Sequence, residues 1–262
     1  MSVANETRTP FDDVCKAAIA RARETLERPF SAFTADLVPS LADLDAHDNQ
    51  GALIETTILY CDMRGSSALT EDHRRGTAAR IYRSFLNLVV DIGKYYNGQI
   101  RGFAGDQVMM LFDPSPDMYR FAMQAALGIQ AAVEEDLNPI IKRAFGRDVH
   151  CGVGVDHGQM LAIRVGGRGR SISDIVWVGR PANVACHLCN NARAGEMVIT
   201  PAVFENMPAG FKSPVLGGLL GNLLGDNVWR AEGPFLEPTT SYRARWDAVA
   251  DCLEESDDED NP

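Results

Sequence analysis

The chain has 262 residues, of which 45% are hydrophobic and 23% charged, as in an ordinary globular protein large enough for a substantial core. Its net charge of −11 and isoelectric point near 4.9 argue against a surface for nucleic acid or anionic membranes. The opening residues lack the apolar stretch of a secretory signal, and no apolar run is long enough to span a bilayer. We therefore expect a cytoplasmic protein without a membrane span.

Cysteine usage supports the same compartment. The cysteines lie mostly within apolar patterns rather than in a disulfide-like framework, and we expect reduced thiols at Cys15, Cys61, Cys151, Cys186, Cys189 and Cys252. The stretch Cys186-His187-Leu188-Cys189 has the spacing of half a zinc site, but no second half follows it. A packing position on a helix is the favoured interpretation.

Composition divides the chain into three parts. Residues 1–50 are predicted to be an N-terminal helical segment and linker, and residues 51–248 the main domain. Residues 249–262 contain an acidic run, Glu254–Asp260, and are predicted to be a disordered tail.

The N-terminal segment has a helical pattern from Phe11 to about Leu44. Pro29 interrupts this pattern, in which apolar residues recur roughly once per turn at Val14, Ile19, Ala22 and Leu26. The residues do not show whether this segment inhibits the main domain.

The main domain starts from an apolar run, Thr57–Cys61, that is typical of a buried strand. Asp62 follows at its end, and a small-residue loop, Gly65-Ser66-Ser67, comes next. Such a carboxylate suits Mg²⁺ or Mn²⁺, and the loop's backbone amides suit phosphate oxygens. Taken alone, the same residues favour a capped strand-to-helix turn, in which Asp62 and Ser66 satisfy free backbone amides.

A second stretch, Gly98–Phe112, favours the metal site. It is predicted to form two short strands around Ala104–Gln107, a hairpin tip from which Asp106 projects. If this hairpin pairs beside the first strand, Asp62 and Asp106 converge, and two adjacent carboxylates repel each other unless a cation lies between them.

The other elements complete an α+β pattern. An amphipathic helix is predicted within Glu71–Asn97 and a second long helix from Met118. Two strands are predicted at His150–Asp156 and Met160–Val165, joined by a hairpin turn over residues 156–159. The order resembles a ferredoxin-like βαββαβ core, a mostly antiparallel sheet with helices on one face.

Three elements are predicted after this core: a strand at Asp174–Val178, a helix from Pro181 to about Asn190, and a strand at Met197–Thr200. Beyond them the apolar, glycine-rich Leu216–Leu224 is compatible with a cover for the core or with a dimer contact.

Four motifs in order resemble the class III nucleotidyl cyclases. They are LYCDMRGSSALT, GDQVMMLF, GVGVDHGQMLAIRVGG and VGRPANVACHL, spread from about Ile54 to Thr200. The resemblance implies a homodimer with two composite active sites, each of which cyclises a nucleoside triphosphate with two divalent metal ions, Mn²⁺ or Mg²⁺. It also implies that Asp62, Asp106 and the carbonyl of Met63 hold the metals and that Gly65, Ser66 and Ser67 cradle the triphosphate.

In this family the opposite subunit supplies an asparagine and, one helical turn later, an arginine. Asn183 matches the asparagine, but His187 stands at the arginine position. A protonated imidazole can partly replace a guanidinium, whereas an exposed, uninvolved His187 would imply a slow or degenerate enzyme. Arg180, about one turn before Asn183, is a second candidate for a phosphate contact.

The base pocket departs further from the family. Gly102 stands where adenylate cyclases have a lysine and guanylate cyclases a glutamate, and Val176 aligns with their aspartate or cysteine. Neither side chain can hydrogen-bond a purine. Tyr60 replaces the usual phenylalanine, and its hydroxyl takes up space and adds a polar group. These differences resemble the bacterial pyrimidine cyclases of Pycsar anti-phage defence, which signal to a cyclic-nucleotide effector. Ordinary aromatic variation at Tyr60 is the alternative.

The favoured hypothesis is a cyclase that makes a 3′,5′-cyclic pyrimidine nucleotide, with UTP as the preferred substrate. One alternative is an adenylate cyclase in which Asp174 replaces the missing aspartate by a two-residue shift. Another is a catalytically degenerate nucleotide sensor, favoured by His187. A ferredoxin-like nucleic-acid binder is disfavoured by the acidic balance.

Overall fold

The computed structural model describes residues 10–45, 49–72, 74–166 and 173–212, and the backbone of 230–236 and 239–245. The predictions for the acidic tail, for Cys252 and for Leu216–Leu224 concern residues outside these ranges. Among the described residues, no helix combines the length and apolar character needed to cross a membrane.

The N-terminal helix is shorter than predicted. Helix α1 spans Phe11–Glu27 and buries none of its residues. Arg28 is already extended, with φ −76° and ψ 138°, because the following proline disfavours a helical conformation. Strand β1, Ser31–Thr34, comes next, and a short 3₁₀ turn at Leu41–Asp43 follows it. The prediction of helix beyond Glu27 was therefore wrong.

The predicted βαββαβ core is present. It consists of β2 (Gln50–Arg64), α3 (Arg75–Tyr95), β3 (Gly98–Ala104), β4 (Gln107–Phe112), α4 (Met118–Ala131) and β5 (His150–Gly166). Shorter elements complete the fold: α2 (Ser66–Asp72), a π-type turn (Ala132–Leu137), α5 (Asn138–Phe145), β6 (Ser173–Val178), α6 (Arg180–Asn191), β7 (Glu196–Ile199), α7 (Pro201–Asn206), a 3₁₀ turn (Ala209–Phe211), β8 (Arg230–Leu236) and β9 (Thr239–Arg245).

The described strands form a single sheet in the order β3-β4-β2-β5-β7-β9-β8, with β1 paired to β2 and β6 to β5. Strand β2 is central, because it is antiparallel to β4 on one side and to β5 on the other. The α+β fold class is confirmed.

Helices cover both faces of this sheet rather than one. Leu59, Cys61 and Met63 of β2 pack into the main core together with buried residues of α3, α4 and α7. The opposite face of β2, which carries Ile58, is covered by Ala185 and other residues of α6. The apolar run of β2 is continuous because both faces of the strand are buried, so apolar and polar residues do not alternate along it.

Strand β5 is continuous, so the predicted hairpin turn at residues 156–159 was wrong. β5 pairs with β2 without interruption from His150 opposite Arg64 to Ala162 opposite Ala52. Asp156 does not turn outward but lies buried in the sheet, where it accepts a hydrogen bond from Thr200 Oγ1 at 2.6 Å. The long partner strand therefore outweighs the local turn signal.

Candidate active site

Asp62 and Asp106 meet at one end of the central strand. Strand β4 pairs with β2 so that Val108 lies opposite Cys61, which brings the hairpin tip beside Asp62. The tip is the predicted two-residue turn, and Gly105 adopts φ +66° there. The two carboxyl groups are close enough that the charge of Asp106 contributes to the raised pKa of Asp62. The predicted convergence of the two aspartates is therefore present.

The electrostatics of this pair fit a cation. Burial raises the pKa of Asp62 to about 6, and the neighbouring Asp106 contributes to the same shift, while Arg64 opposes it. Oδ2 of Asp106 is buried without a hydrogen-bond partner among the described residues. A divalent ion between the carboxylates would satisfy this oxygen and remove the repulsion.

Few side chains at the candidate metal site could act as metal ligands. In the described ranges, no group of three or more histidine, cysteine, aspartate or glutamate side chains is placed to hold a metal. The side chain of Met63 is buried in the main core, so only its backbone carbonyl is available as a ligand. Asp62 and Asp106 are thus the two carboxylates that the described part of the fold brings together at this position.

The loop after β2 has a conformation suited to an anion. Gly65 adopts φ +76°, a left-handed conformation that favours glycine, and α2 begins at the next residue. The first amides of a helix have no partner within the helix and point outward from its start. Ser66 and Ser67 supply such amides close to Asp62.

Within one chain, Asn183 and His187 are not joined to the aspartate pair. Asn183 is exposed on α6, and no hydrogen bond or ion pair links its side chain to another described residue. His187 is partly exposed, and its carbonyl accepts a hydrogen bond from Asn191. Arg180, the second candidate for a phosphate contact, lies near the buried Asp156 of the same chain. Burial raises the pKa of Asp156, and the charge of Arg180 partly opposes that shift.

Tyr60 and Gly102 lie at the same register position of the sheet, on either side of Met109 of β4. A Cβ atom at Gly102 would have no neighbour within 4 Å in the described part of the chain, so there is open space directly beside this residue. Burial raises the pKa of Tyr60 to about 12, which keeps the hydroxyl protonated. Val176 is separate from these two residues, because it is 42% exposed on β6, whose Trp177 faces inward.

Sequence reasoning missed two contacts beside the aspartates. Arg64 forms an ion pair with Asp62, with 3.4 Å between Nη1 and Oδ2, and Gln107 hydrogen-bonds to Asn190 of α6. Strand alternation was the available signal for Arg64, since it lies two residues after Asp62 and so shares its face. No local sequence pattern indicated that α6 supplies Asn190 as the partner of Gln107.

The cysteines of α6 pack against this region, as the favoured interpretation held. The thiol of Cys186 lies 3.5 Å from Oε1 of Gln107, and that of Cys189 donates to the carbonyl of Gly152 at 3.3 Å. Burial raises the pKa of both thiols.

Comparison with known proteins defines the class. The fold is similar to that of the adenylyl cyclase CyaB from P. aeruginosa, with a TM-score of 0.60 and 19% identity over 74% of this chain and 94% of that one. The uridylate cyclase of Burkholderia cepacia is 34% identical over 59% of this chain and 68% of its own length. That of Xanthomonas perforans is 32% identical over 76% of this chain and 82% of its own. No family model matches the chain.

The fold is that of the class III nucleotidyl cyclases. Within that class, the chain belongs to the uridylate cyclase family.

Proposed function

We propose that this enzyme converts UTP to 3′,5′-cyclic UMP and pyrophosphate with two divalent metal ions. The observation that carries the proposal is the Asp62–Asp106 pair in a chain of the uridylate cyclase family. One oxygen of Asp106 is buried and has no hydrogen-bond partner among the described residues.

In the reaction, the ribose O3′ attacks the α-phosphorus, the bond from that phosphorus to the bridging oxygen breaks, and pyrophosphate leaves. When bound, divalent metal ions would lower the pKa of the 3′-hydroxyl, whose proton passes to solvent, and would neutralise the phosphate charge. Asp62, Asp106 and the Met63 carbonyl would hold these ions. The amides of Gly65, Ser66 and Ser67 bind the triphosphate and align it for attack.

The proposed active enzyme is a homodimer with two composite sites. Asn183 and His187 are accessible on α6 but not joined to Asp62 or Asp106 of their own chain, which leaves them available to a second subunit. In that arrangement Asn183 orients the ribose, and His187 donates a hydrogen bond to the charge that develops on the phosphates.

Pyrimidine selectivity is proposed for Tyr60 and Gly102. Val176, the third position that the resemblance predicts, is exposed on β6 apart from these two residues of its own chain. A phenol that stays protonated supplies a hydroxyl for a small base, and Gly102 supplies no purine partner. The competing candidate, an adenylate cyclase, is favoured by Asp174, which lies two residues from Val176 on the same exposed face of β6. A degenerate sensor is favoured only by His187.

The test is a competition among substrates. Purified protein is incubated with Mn²⁺ and equal amounts of ATP, GTP, CTP and UTP, and the cyclic products are identified by mass spectrometry. Dominant cyclic UMP supports the proposal. Dominant cyclic AMP would transfer the assignment to Asp174, and no product with either Mn²⁺ or Mg²⁺ would favour the sensor.

By similarity to the Pycsar cyclases, we propose that the product signals anti-phage defence to a cyclic-nucleotide effector. Phage plating on cells that carry the cyclase gene with its neighbouring genes, against an Asp106→Asn variant, tests this role. Equal plating on both would contradict it.

A further inference from the structure

Arg64 connects the carboxylate of Asp62 to the last turn of α6. Its Nη1 lies 3.4 Å from Oδ2 of Asp62, and the two side chains are only 20% and 19% exposed. Its Nη2 donates a hydrogen bond of 2.6 Å to the backbone carbonyl of Cys189. A cation is favourable there because the carbonyls of a last helical turn carry partial negative charge. One guanidinium therefore bonds both to β2 and to the end of α6.

Strand β5 makes room for this connection with two glycines. Gly152 lies opposite Asp62, and Gly154 lies opposite Tyr60, on the face that α6 covers. A Cβ at Gly152 would come within 2.5 Å of Arg64 Nε, and one at Gly154 would overlap the backbone of α6. Neither glycine has a positive φ, so it is the close approach of Arg64 and α6 that requires them.

A second connection starts beside Asp106. Gln107 donates from Nε2 to Oδ1 of Asn190 at 3.0 Å, and its Oε1 is in contact with the thiol of Cys186. Arg64, two residues after Asp62, and Gln107, directly after Asp106, therefore both form hydrogen bonds to the C-terminal end of α6. Because Asn190 is exposed, the Arg64 connection is the better shielded of the two.

We propose that Arg64 is a positioning residue for both active sites of the dimer. It orients Asp62 for one site, and through the Cys189 carbonyl it fixes the helix whose Asn183 and His187 serve the other site. The inference rests on the proposed composite sites. A displacement at Cys189 reaches Asn183 because both residues belong to one continuous helix.

The test uses a mixed dimer with one functional site. A chain with Asp62→Ala and a differently tagged chain with Asn183→Ala are co-expressed and purified through both tags. One site then combines an intact Asp62 with an intact Asn183, and its formation of cyclic UMP is measured first. If the wild-type dimer is active and this mixed dimer is not, the composite-site proposal fails, and the inference fails with it.

Arg64→Met is then introduced into one chain at a time, because methionine retains much of the volume but donates no hydrogen bond. In the Asn183→Ala chain it acts beside the functional Asp62. In the Asp62→Ala chain it acts only through α6 and Asn183. We expect kcat to fall about tenfold or more in each arrangement. Unchanged kcat in the second arrangement would overturn the proposal, because Arg64 would then serve Asp62 alone.

Arg64→Lys separates position from charge. Lysine keeps the charge but lacks the planar fork that bonds to Asp62 and Cys189 together, so we expect only partial recovery of kcat in both arrangements. Full recovery would contradict the positioning role. If the methionine variant prevents pairing of the two chains, the lysine variant decides the question by the same comparison.

The matched control is Arg120→Met in each chain. Arg120 pairs with Asp117 at 3.0 Å on the exposed surface of α4, and its loss should leave kcat unchanged in both arrangements. A decrease with Arg120→Met as large as that with Arg64→Met would overturn the proposal, because the effect would then be general.

Discussion

Asp62 and Asp106 lie beside each other where the central strand β2 and the β3–β4 hairpin end, and the charge of Asp106 helps to raise the pKa of Asp62. Between two such groups, one negative charge is tolerated more easily than two. This relationship makes the metal-free protein sensitive to substitution, to metal and to pH in ways that separate a metal site from a structural contact.

Asp106→Asn should reduce cyclase activity at least about a hundredfold and abolish stabilisation by Mn²⁺. Its metal-free form should be at least as stable as the wild type, because the substitution removes repulsion. Thermal unfolding is followed in EDTA and with excess Mn²⁺. An equal Mn²⁺-induced rise in melting temperature in both proteins would contradict the metal assignment.

The pH dependence of the metal-free protein should carry the signature of Asp62. Its pKa is raised from 3.8 to about 6 in the fold, so the folded state binds the proton more tightly than the unfolded state. The stabilising contribution is therefore complete below about pH 4 and is lost as the pH rises through about 6.

Urea unfolding in EDTA between pH 4 and 7 measures this contribution as the difference between the wild type and Asp62→Asn. The free energy of unfolding of the wild type should fall relative to that of the variant as the pH rises. A constant difference would show that Asp62 keeps an ordinary pKa.

Tyr60→Phe should lower the ratio of cyclic UMP to cyclic AMP in the competition by about tenfold, because it removes the only polar atom of that side chain. The melting temperature should change little, since phenylalanine retains the packing against Met109 and α6. An unchanged product ratio would mean that Tyr60 is a core aromatic without a role in base selection.

Gly154→Ala should lower the free energy of unfolding by about 2–3 kcal/mol, because the added methyl group overlaps the backbone of α6. The displacement of α6 should also lower kcat. Gly76→Ala is the control: Gly76 lies in α3, and its Cβ would meet nothing within 4 Å. This control should gain about 0.5 kcal/mol in the free energy of unfolding. Equal effects of the two substitutions on stability would contradict the close approach of α6 to β5.

The candidate site could be predicted as far as its signals were local. Asp62 follows an apolar strand directly, and Asp106 occupies a two-residue hairpin turn whose Gly105 has the expected positive φ. Both signals lie within a few residues of the carboxylate, so they did not depend on the rest of the fold. Asn183 and His187 were identified by resemblance, and their role stays a proposal.

Longer-range features were predicted less well. The glycine and polar residues around Asp156 indicated a turn, but thirteen consecutive pairs with β2 keep β5 extended. The prediction of helix up to Leu44 was wrong for a local reason, because Pro29 ends the helix and the chain then pairs β1 with β2. At Asp156, by contrast, pairing with a distant strand outweighed the local preference.

By itself, the sequence determined the order of elements, the α+β class and the two aspartates, because apolar periodicity and turn residues act over short distances. Only the tertiary structure decided that α6 covers the second face of the sheet and that Arg64 joins Asp62 to Cys189. Such contacts depend on sheet register and on glycines that permit close approach between segments far apart in the chain. Strand alternation indicates that Arg64 shares a face with Asp62, but no residue near Cys189 indicates that it contacts Arg64.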